Sequence, residues 1–169
     1  MILSRYPDIE LMLDQIVSLC ESGDYDGAIK AISSCIADGS DNSEIYRRKG
    51  QIEFDREEYD QAVISLIESL KLDFENQSAL ILIGNIYALH KDDFETAMTY
   101  FTQVLELNSD NFVGLNNIAG VIAKHGDYQT AINYFDKALE VKPGYPNTLF
   151  GSALCHLYTE DYREKSLST

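Results

Sequence analysis

Residues 112–145 read FVGLNNIAGVIAKHGDYQTAINYFDKALEVKPGY and contain two apolar stripes. In each stripe the apolar residues recur every three or four positions, which is the spacing of one face of an α-helix. The first stripe is Leu115, Ile118, Ala119 and Ile122, and the second is Ala131, Phe135, Ala138 and Leu139. Between them, Gly126 can adopt a left-handed conformation and Asp127 can cap a helix. The stretch therefore predicts two helices joined by a tight turn.

The same unit recurs along the whole chain. We divide the sequence into four full repeats and one partial repeat, at residues 9–42, 43–76, 77–111, 112–145 and 146–169. An acidic residue followed by an aromatic residue recurs at one offset in all five, as Asp24-Tyr25, Glu58-Tyr59, Asp93-Phe94, Asp127-Tyr128 and Asp161-Tyr162. Two short helices cannot bury both of their faces alone, so the repeats are expected to pack on one another.

This spacing resembles the tetratricopeptide repeat. In the fourth repeat the matching residues stand at repeat positions 4, 7, 8, 11, 20, 24, 27 and 32, as Leu115, Ile118, Ala119, Ile122, Ala131, Phe135, Ala138 and Pro143. Leu115 and Ile122 replace residues that are usually aromatic in the family. The resemblance implies an all-α fold, a right-handed superhelix of antiparallel helix pairs, which we expect as a single domain over residues 1–169.

The second and third repeats depart from the pattern in ways that suggest local structure. Lys49 and Glu53 stand where the family usually has apolar residues, and their spacing of four allows them to pair on one helix face. Asp41 and Glu44 have the spacing of a capping box at the start of that helix. The third repeat is one residue longer, and we place the extra residue in the turn at 90–94, where lengthening costs little.

The charge balance limits the classes of partner. The chain has 169 residues and a formal net charge of -15, from 28 acidic and 13 basic residues. Nucleic acids and anionic membranes bind dense positive charge, so neither is expected as a partner. A basic or carboxylate-bearing protein or peptide suits the chain better, although acidity can also serve only to keep a surface soluble. No segment predicts a secretion signal or a membrane span, and we expect a cytoplasmic protein.

Motifs that carry chemistry are absent from the sequence. There is no GxGxxG, GxxxxGK[ST], HExxH or GxSxG, so we expect no catalytic residues, no cofactor and no metal, and the protein is not expected to be an enzyme. His90 and His125 stand at equivalent helix ends, where histidine usually complements the helix dipole. Cys20, Cys35 and Cys155 lack CxxC spacing and are expected to pack as small apolar residues.

The resemblance implies that a peptide or a partner helix binds a concave groove lined by the first helices. The side chains that map to groove positions, and that we assign to partner binding, are Arg47, Arg48, Gln51, Asn85, Asn116, Asn117 and Lys124. The arginines and the glutamine can grip a carboxylate and an amide, and the asparagines can hydrogen-bond an extended backbone. Leu82 and Val113 stand where chaperone-tail binders of the family have polar residues, so that ligand is not predicted. Each position can also be an ordinary solvated surface.

The fifth repeat has a first helix but no second helix of the expected register. Its helix is apolar nearly all round, whereas a terminal repeat helix normally presents a polar outer face. We assign a possible assembly surface to Leu149, Phe150, Leu154, Leu157 and Tyr158. The sequence leaves its cover open between the rest of a longer chain, a second copy, a partner and a folded-back terminus. It therefore predicts a protein-interaction scaffold, with a self-associating or assembly module as the alternative.

Overall fold

The protein is described here from a computed structural model that covers residues 9–39 and 41–167, with side chains described as far as residue 160. Within these residues all regular secondary structure is helical, which confirms the expected all-α fold class. The helices are α1 (Ile9–Glu21), α2 (Tyr25–Ala37), α3 (Ser43–Asp55), α4 (Tyr59–Leu72), α5 (Gln77–Leu89), α6 (Phe94–Leu107), α7 (Phe112–Lys124), α8 (Tyr128–Val141) and α9 (Pro146–Leu167). None of these helices is both long enough and apolar enough to cross a membrane.

The helices follow the repeat pattern of the sequence. The first helix of each repeat begins at Ile9, Ser43, Gln77, Phe112 or Pro146, the first residue of each repeat defined above. Three residues separate the helices of a pair in repeats 1, 2 and 4. Four residues, 90–93, separate them in repeat 3. The extra residue of that repeat therefore lies in the turn, as predicted.

The acidic residue of the acidic-aromatic pair caps the second helix. The side chains of Asp24, Asp93 and Asp127 each accept a hydrogen bond from the backbone N–H three residues further on. Glu58 takes the same place without a side-chain bond. The residue before each of these caps has a positive φ, at Gly23, Glu57, Asp92 and Gly126. A left-handed residue followed by an N-cap thus explains why this short motif recurs.

The sequence-based prediction differs from the structure at two helix boundaries. The Asp41–Glu44 capping box does not form, because Asn42 caps α3 and its Oδ1 accepts the N–H groups of Glu44 and Ile45. At the other boundary, residues 161–162 do not begin a new helix, because Glu160 stays helical and α9 continues through them. Glu160 stands directly before Asp161, where the other repeats have a residue with a positive φ. No further helix pair within the described residues requires a turn there. The side chains of the fifth acidic-aromatic pair lie outside the described residues.

The structure divides into two compact halves, an N-terminal half ending at Ile83 and a C-terminal half beginning at Gly84. The core of the N-terminal half contains Ile16, Ala28, Ile32, Cys35, Ile45 and Ile52. The core of the C-terminal half contains Phe101, Ile118, Ala119, Ala131, Phe135 and Cys155, among others. All three cysteines are free thiols, and Cys35 and Cys155 are buried, as expected of small apolar residues.

The predicted pair on α3 is present. Lys49 Nζ lies 3.2 Å from Glu53 Oε1 and also donates to the Ser65 hydroxyl at 3.3 Å. Glu53 is only 5% exposed, and its second oxygen, Oε2, has no hydrogen-bond partner among the described residues. A buried carboxylate that lacks one hydrogen bond is stabilised mainly by its ion pair, here with Lys49. The contact of α3 with α4 therefore includes a buried polar group whose hydrogen bonds are incomplete.

Candidate functional site

A cavity of about 220 Å³ lies on the first-helix side of the C-terminal half, between the end of α5 and α7. Its lining consists of Asn85, Ala88, Leu89, Phe101, Asn116, Asn117, Gly120, Val121 and Lys124. Four of the seven residues assigned to partner binding, the three asparagines and Lys124, are therefore brought together here. The apolar residues form most of the wall, and the amide groups and one ammonium provide its polar groups.

The asparagines are held in place by hydrogen bonds between successive repeats. Asn117 Nδ2 donates to Asn85 Oδ1 at 2.8 Å, from α7 to α5. Asn116 Oδ1 accepts from the hydroxyl of the buried Thr148 at 2.7 Å, from α9 to α7. A primary amide has two N–H donors and an oxygen with two acceptor sites, so one such bond orients the side chain and leaves capacity for others. The amides are thus preoriented donors and acceptors at the cavity.

Lys124 is the charged side chain in the lining of this cavity. Its Nζ lies 2.5 Å from Asp92 Oδ1 and 3.5 Å from the carbonyl oxygen of Ala88. The hydrogen bond from Lys124, together with its positive charge, lowers the pKa of Asp92 below its usual range. Asp92, the residue with a positive φ in the longer turn, therefore pairs with Lys124, the one charged side chain in the lining. The two opposite charges leave the site nearly neutral.

A larger cavity of about 390 Å³ lies between α7, α8 and α9. Its lining consists of Gly120, Ala123, Lys124, Tyr128, Phe135, Gly151, Leu154, Cys155 and Tyr158. The rings of Tyr128 and Tyr158 stack at a centroid distance of 4.9 Å and form one wall. Gly120 and Lys124 line both cavities, so the two adjoin. Gly120 was not among the predicted binding residues. It stands at a groove position, and its lack of a side chain was the feature of the sequence that could have predicted open space there.

The five residues of the possible assembly surface are only partly gathered by the larger cavity. Leu154 and Tyr158 line it, with exposed fractions of 37% and 52%. Leu149, Phe150 and Leu157 lie elsewhere on α9 and are 47%, 67% and 62% exposed. All five thus present apolar surface to solvent in the described structure, but on more than one face of the helix.

The remaining three predicted binding residues lie on α3 and are engaged within it. Arg47 makes two hydrogen bonds to the Glu44 carboxylate, each 2.6 Å long, and Arg48 makes a third at 2.8 Å. Burial by itself would raise the pKa of Glu44, but the hydrogen bonds and charges of the two arginines outweigh it and lower that pKa. Gln51 donates to Asp55 at 2.9 Å. Arg47 and Arg48 stand three and four residues after Glu44, and this spacing in the sequence could have predicted the pairing.

No group of His, Cys, Asp and Glu side chains with the geometry of a metal site occurs among the residues that the structure describes. The His125 ring packs against the Phe94 ring at a centroid distance of 4.1 Å, and its Nδ1 lies 2.9 Å from the carbonyl oxygen of Val121. This histidine therefore packs at the end of α7 and interacts with a carbonyl of the last turn.

Comparison with known proteins identifies the same repeat. Residues 76–168 match the model of the TT21 fifth ARM repeats domain, and residues 13–73 match a tetratricopeptide repeat model. Tetratricopeptide repeat protein 21A of Mus musculus is 23% identical over 123 residues, which are 73% of this chain and 9% of that protein. The chain thus spans less than a tenth of the length of this relative.

Solved structures of similar fold cover nearly the whole chain. The MamA protein aligns with a TM-score of 0.78 and 21% identity, over 94% of this chain and 86% of that chain. YrrB, a TPR protein with an unusual peptide-binding site, aligns with a TM-score of 0.73 and 19% identity, over 93% of this chain and 80% of that chain. At these identities the likeness shows a common fold.

Proposed function

Because the chain belongs to the tetratricopeptide repeat proteins and, over residues 76–168, to the TT21 fifth ARM repeats domain family, we propose that it is a non-enzymatic scaffold that holds a peptide segment of a partner protein against α5 and α7. The observation that carries this proposal is the hydrogen-bonded pair of Asn85 and Asn117 in the wall of an open cavity. The peptide-binding site named for YrrB is consistent with such a use of the fold.

An extended peptide matches the polar groups of the cavity. Each peptide unit offers one N–H donor and one C=O acceptor, and a side-chain amide offers the complementary set. The bond between Asn85 and Asn117 fixes both amides before a ligand arrives, which reduces the entropy lost on binding. The lining also includes the apolar side chains of Phe101 and Val121, which would shield these bonds from water once a peptide is bound. Recognition of this kind reads the backbone more than the side chains of the partner.

The arginines of α3 extend the proposal to a second type of contact. Arg48, with 36% of its side chain exposed, is the more accessible of the two. A carboxylate of a partner would compete with Glu44 for the guanidinium groups, which bind carboxylates with two parallel hydrogen bonds. We propose Arg47, Arg48 and Gln51 as contacts for a carboxylate-bearing segment.

The test of the cavity uses a random 16-residue peptide library displayed on phage and selected on the full 169-residue chain. Peptides selected by the wild type are then measured by fluorescence anisotropy against an Asn85→Ala, Asn117→Ala double variant. We expect at least tenfold weaker binding, since two or more hydrogen bonds of about 1 kcal/mol each are removed. Both amides are removed together so that neither is left unpaired.

Asn133→Ala is the matched control, because Asn133 is an exposed asparagine on α8. It should bind the selected peptides like the wild type. Equal binding by the double variant and this control, with helix content unchanged, would place the peptide site away from α5 and α7.

A second candidate function is assembly through α9. The observation that favours it is the large exposed apolar area of that helix, which five side chains contribute: Leu149, Phe150, Leu154, Leu157 and Tyr158. Large exposed apolar patches usually mark interaction sites. This function requires a second copy of the chain or another part of a longer protein on the helix.

A further inference from the structure

The helix α9 has its small side chains inside and its large apolar side chains outside. As far as residue 160, the residues that α9 buries are Thr148, Ser152 and Cys155, with exposed fractions of 0%, 7% and 2%. Phe150 and Leu157, in contrast, are more than 60% exposed. An amphipathic helix at the surface of a protein normally has the opposite arrangement. The outer side chains of α9 therefore require an explanation other than packing within the described residues.

The repeat register separates two outer faces of α9. In α7, the side chains of Leu115, Ile118, Ala119 and Ile122 are buried, and the last three share a core cluster with residues of α8. Their equivalents in α9, 34 residues later, are Leu149, Ser152, Ala153 and His156. Ser152 is already buried, so a following helix would cover only the exposed members of this face. Such a helix would explain why Leu149 is exposed. It would not explain the exposure of Phe150, Leu154, Leu157 and Tyr158.

The other face of α9 carries the residues that correspond, by repeat position, to the cavity-lining residues of α7. Phe150, Leu154, Leu157 and Tyr158 are the equivalents of Asn116, Gly120, Ala123 and Lys124, which line the two cavities of α7. In α7, α9 of the next repeat contacts these positions, since Asn116 accepts a hydrogen bond from Thr148 and the others line the larger cavity with α9. The same positions of α9 are apolar, which suits a ligand with apolar side chains. We call these four residues of α9 the apolar stripe.

The larger cavity beside the stripe can accept a bulky side chain. Its volume of about 390 Å³ lies within the range of about 300–1,000 Å³ that is typical of ligand pockets. Gly120 borders open space in its lining, since a Cβ at this position would have no atom within 4 Å. The walls are aromatic and aliphatic, with the stacked Tyr128 and Tyr158 on one side.

Among the described side chains, two acidic residues lie close in sequence to this surface. Asp127 is exposed and precedes Tyr128, and Glu160 is exposed and lies two residues beyond Tyr158. Lys124 is the one cation in the lining, and Asp92 already neutralises it. The chain as a whole carries a net charge of -15. Lys or Arg residues on either side of an apolar segment would therefore be attracted to this site.

We propose that the apolar stripe and the larger cavity bind a partner segment that carries at least two bulky apolar side chains flanked by Lys or Arg. This proposal rests on the proposed function and specifies the partner: the amides of α5 and α7 hold its backbone, and the stripe selects its side chains. One apolar side chain enters the cavity at Gly120, and a second packs on Phe150 and Leu157.

The same phage selection tests this specificity. Peptides selected by the wild type should be enriched in pairs of bulky apolar residues with Lys or Arg beside them, relative to the unselected library. A Phe150→Ser, Leu157→Ser double variant should bind the selected peptides at least tenfold more weakly. Both side chains are largely exposed, so the variant keeps its fold. Gly120→Trp, which fills the mouth of the cavity, should have a similar effect.

An Ile64→Ser, Phe74→Ser double variant is the matched control, because these two apolar side chains are also largely exposed, at 54% and 74%, but lie on or after α4. It should bind like the wild type. Binding that is lost in the Asn85, Asn117 variant but kept in the Phe150, Leu157 variant would overturn the specificity and leave the proposed function standing. Selected peptides without apolar pairs, or with acidic flanks, would also overturn it. Failure to select any peptide, with a dimer at about 0.15 M salt, would overturn both in favour of assembly.

Discussion

At the scale of single residues, two glycines on first helices show how the same methyl group can disturb packing or leave it unchanged. A Cβ at Gly84 would clash with the ring of Phe101, which is fully buried, whereas a Cβ at Gly120 would meet nothing. We expect Gly84→Ala to lower the free energy of unfolding by about 1–3 kcal/mol through overpacking. Gly120→Ala should raise it by about 0.5–1 kcal/mol, because alanine restricts the unfolded chain. Urea unfolding of both variants measures the difference, and equal effects would show that the helix register is wrong.

The Lys49–Glu53 pair leads to a second prediction at this scale. Lys49→Met removes the cation that pairs with a carboxylate that is 5% exposed and has one oxygen without a hydrogen-bond partner among the described residues, and it should lower the free energy of unfolding by about 3 kcal/mol. The Lys49→Met, Glu53→Leu double variant should recover this loss or exceed the wild type, since an apolar pair has no charge to desolvate. Chemical denaturation of the three proteins decides the matter. A double variant less stable than the single one would show that the pair stabilises α3 in its own right.

The residue scale also shows where sequence reasoning reached its limit. The Lys49–Glu53 pair followed from a spacing of four on one helix, and Asn85 and Asn117 were both assigned to groove positions, although at different places in their repeats. The engagement of Arg47 and Arg48 by Glu44 was not predicted, because a groove position specifies where a side chain starts and not which neighbour it bonds. Asn42 displaced Asp41 as the cap of α3 for a similar reason, since its oxygen reaches two N–H groups.

At the scale of helices, the capping aspartates make stability depend on pH. Hydrogen bonds from the backbone N–H and hydroxyl of Thr96 lower the pKa of Asp93, and those of Thr130 lower the pKa of Asp127. A carboxylate whose pKa is lower in the folded state stabilises the fold above the unfolded pKa of about 3.9, and this contribution is lost as the pH falls through the folded pKa. Stability should therefore fall in the acid range below about pH 4.

An Asp93→Asn, Asp127→Asn double variant tests the contribution of these caps. Asparagine caps helices about as well as aspartate but does not titrate in this range. The variant should lose less thermal stability than the wild type between pH 7 and pH 3, as measured by circular dichroism. Parallel losses in the two proteins would mean that acid unfolding depends on other carboxylates, such as Glu44.

Helix boundaries were largely predictable from the sequence, and the exceptions have physical causes. The periodic apolar stripes and the acidic-aromatic pairs locate the starts of α2, α4, α6 and α8. The same pair at residues 161–162 does not start a helix, since α9 continues through both residues. The cavities could not be predicted, since they arise from small residues such as Gly120 whose neighbours lie on other helices.

At the scale of the whole molecule, net charge opposes contact between copies through the apolar surface of α9. With a charge of -15, we expect a monomer of 19.0 kDa at low ionic strength. Salt at about 1 M shortens the screening length to about 3 Å and should allow association through α9. Sedimentation equilibrium of the wild type should show a higher mass there, while the Phe150→Ser, Leu157→Ser variant stays at 19.0 kDa. A mass that is independent of salt in both proteins would argue against this surface as a site of self-association.

The buried Cys155 gives the larger cavity a chemical reporter. Its thiol is 2% exposed, and burial raises its pKa, so little thiolate is present at neutral pH and alkylation is slow. A ligand side chain bound in the larger cavity would cover the sulfur of Cys155, which lines it, and would slow alkylation further. Cys20 and Cys35, in the N-terminal half, provide internal references within the same molecule. The rate at which iodoacetamide labels Cys155, relative to these two, would thus report occupancy of the site in the native chain without any engineered cysteine.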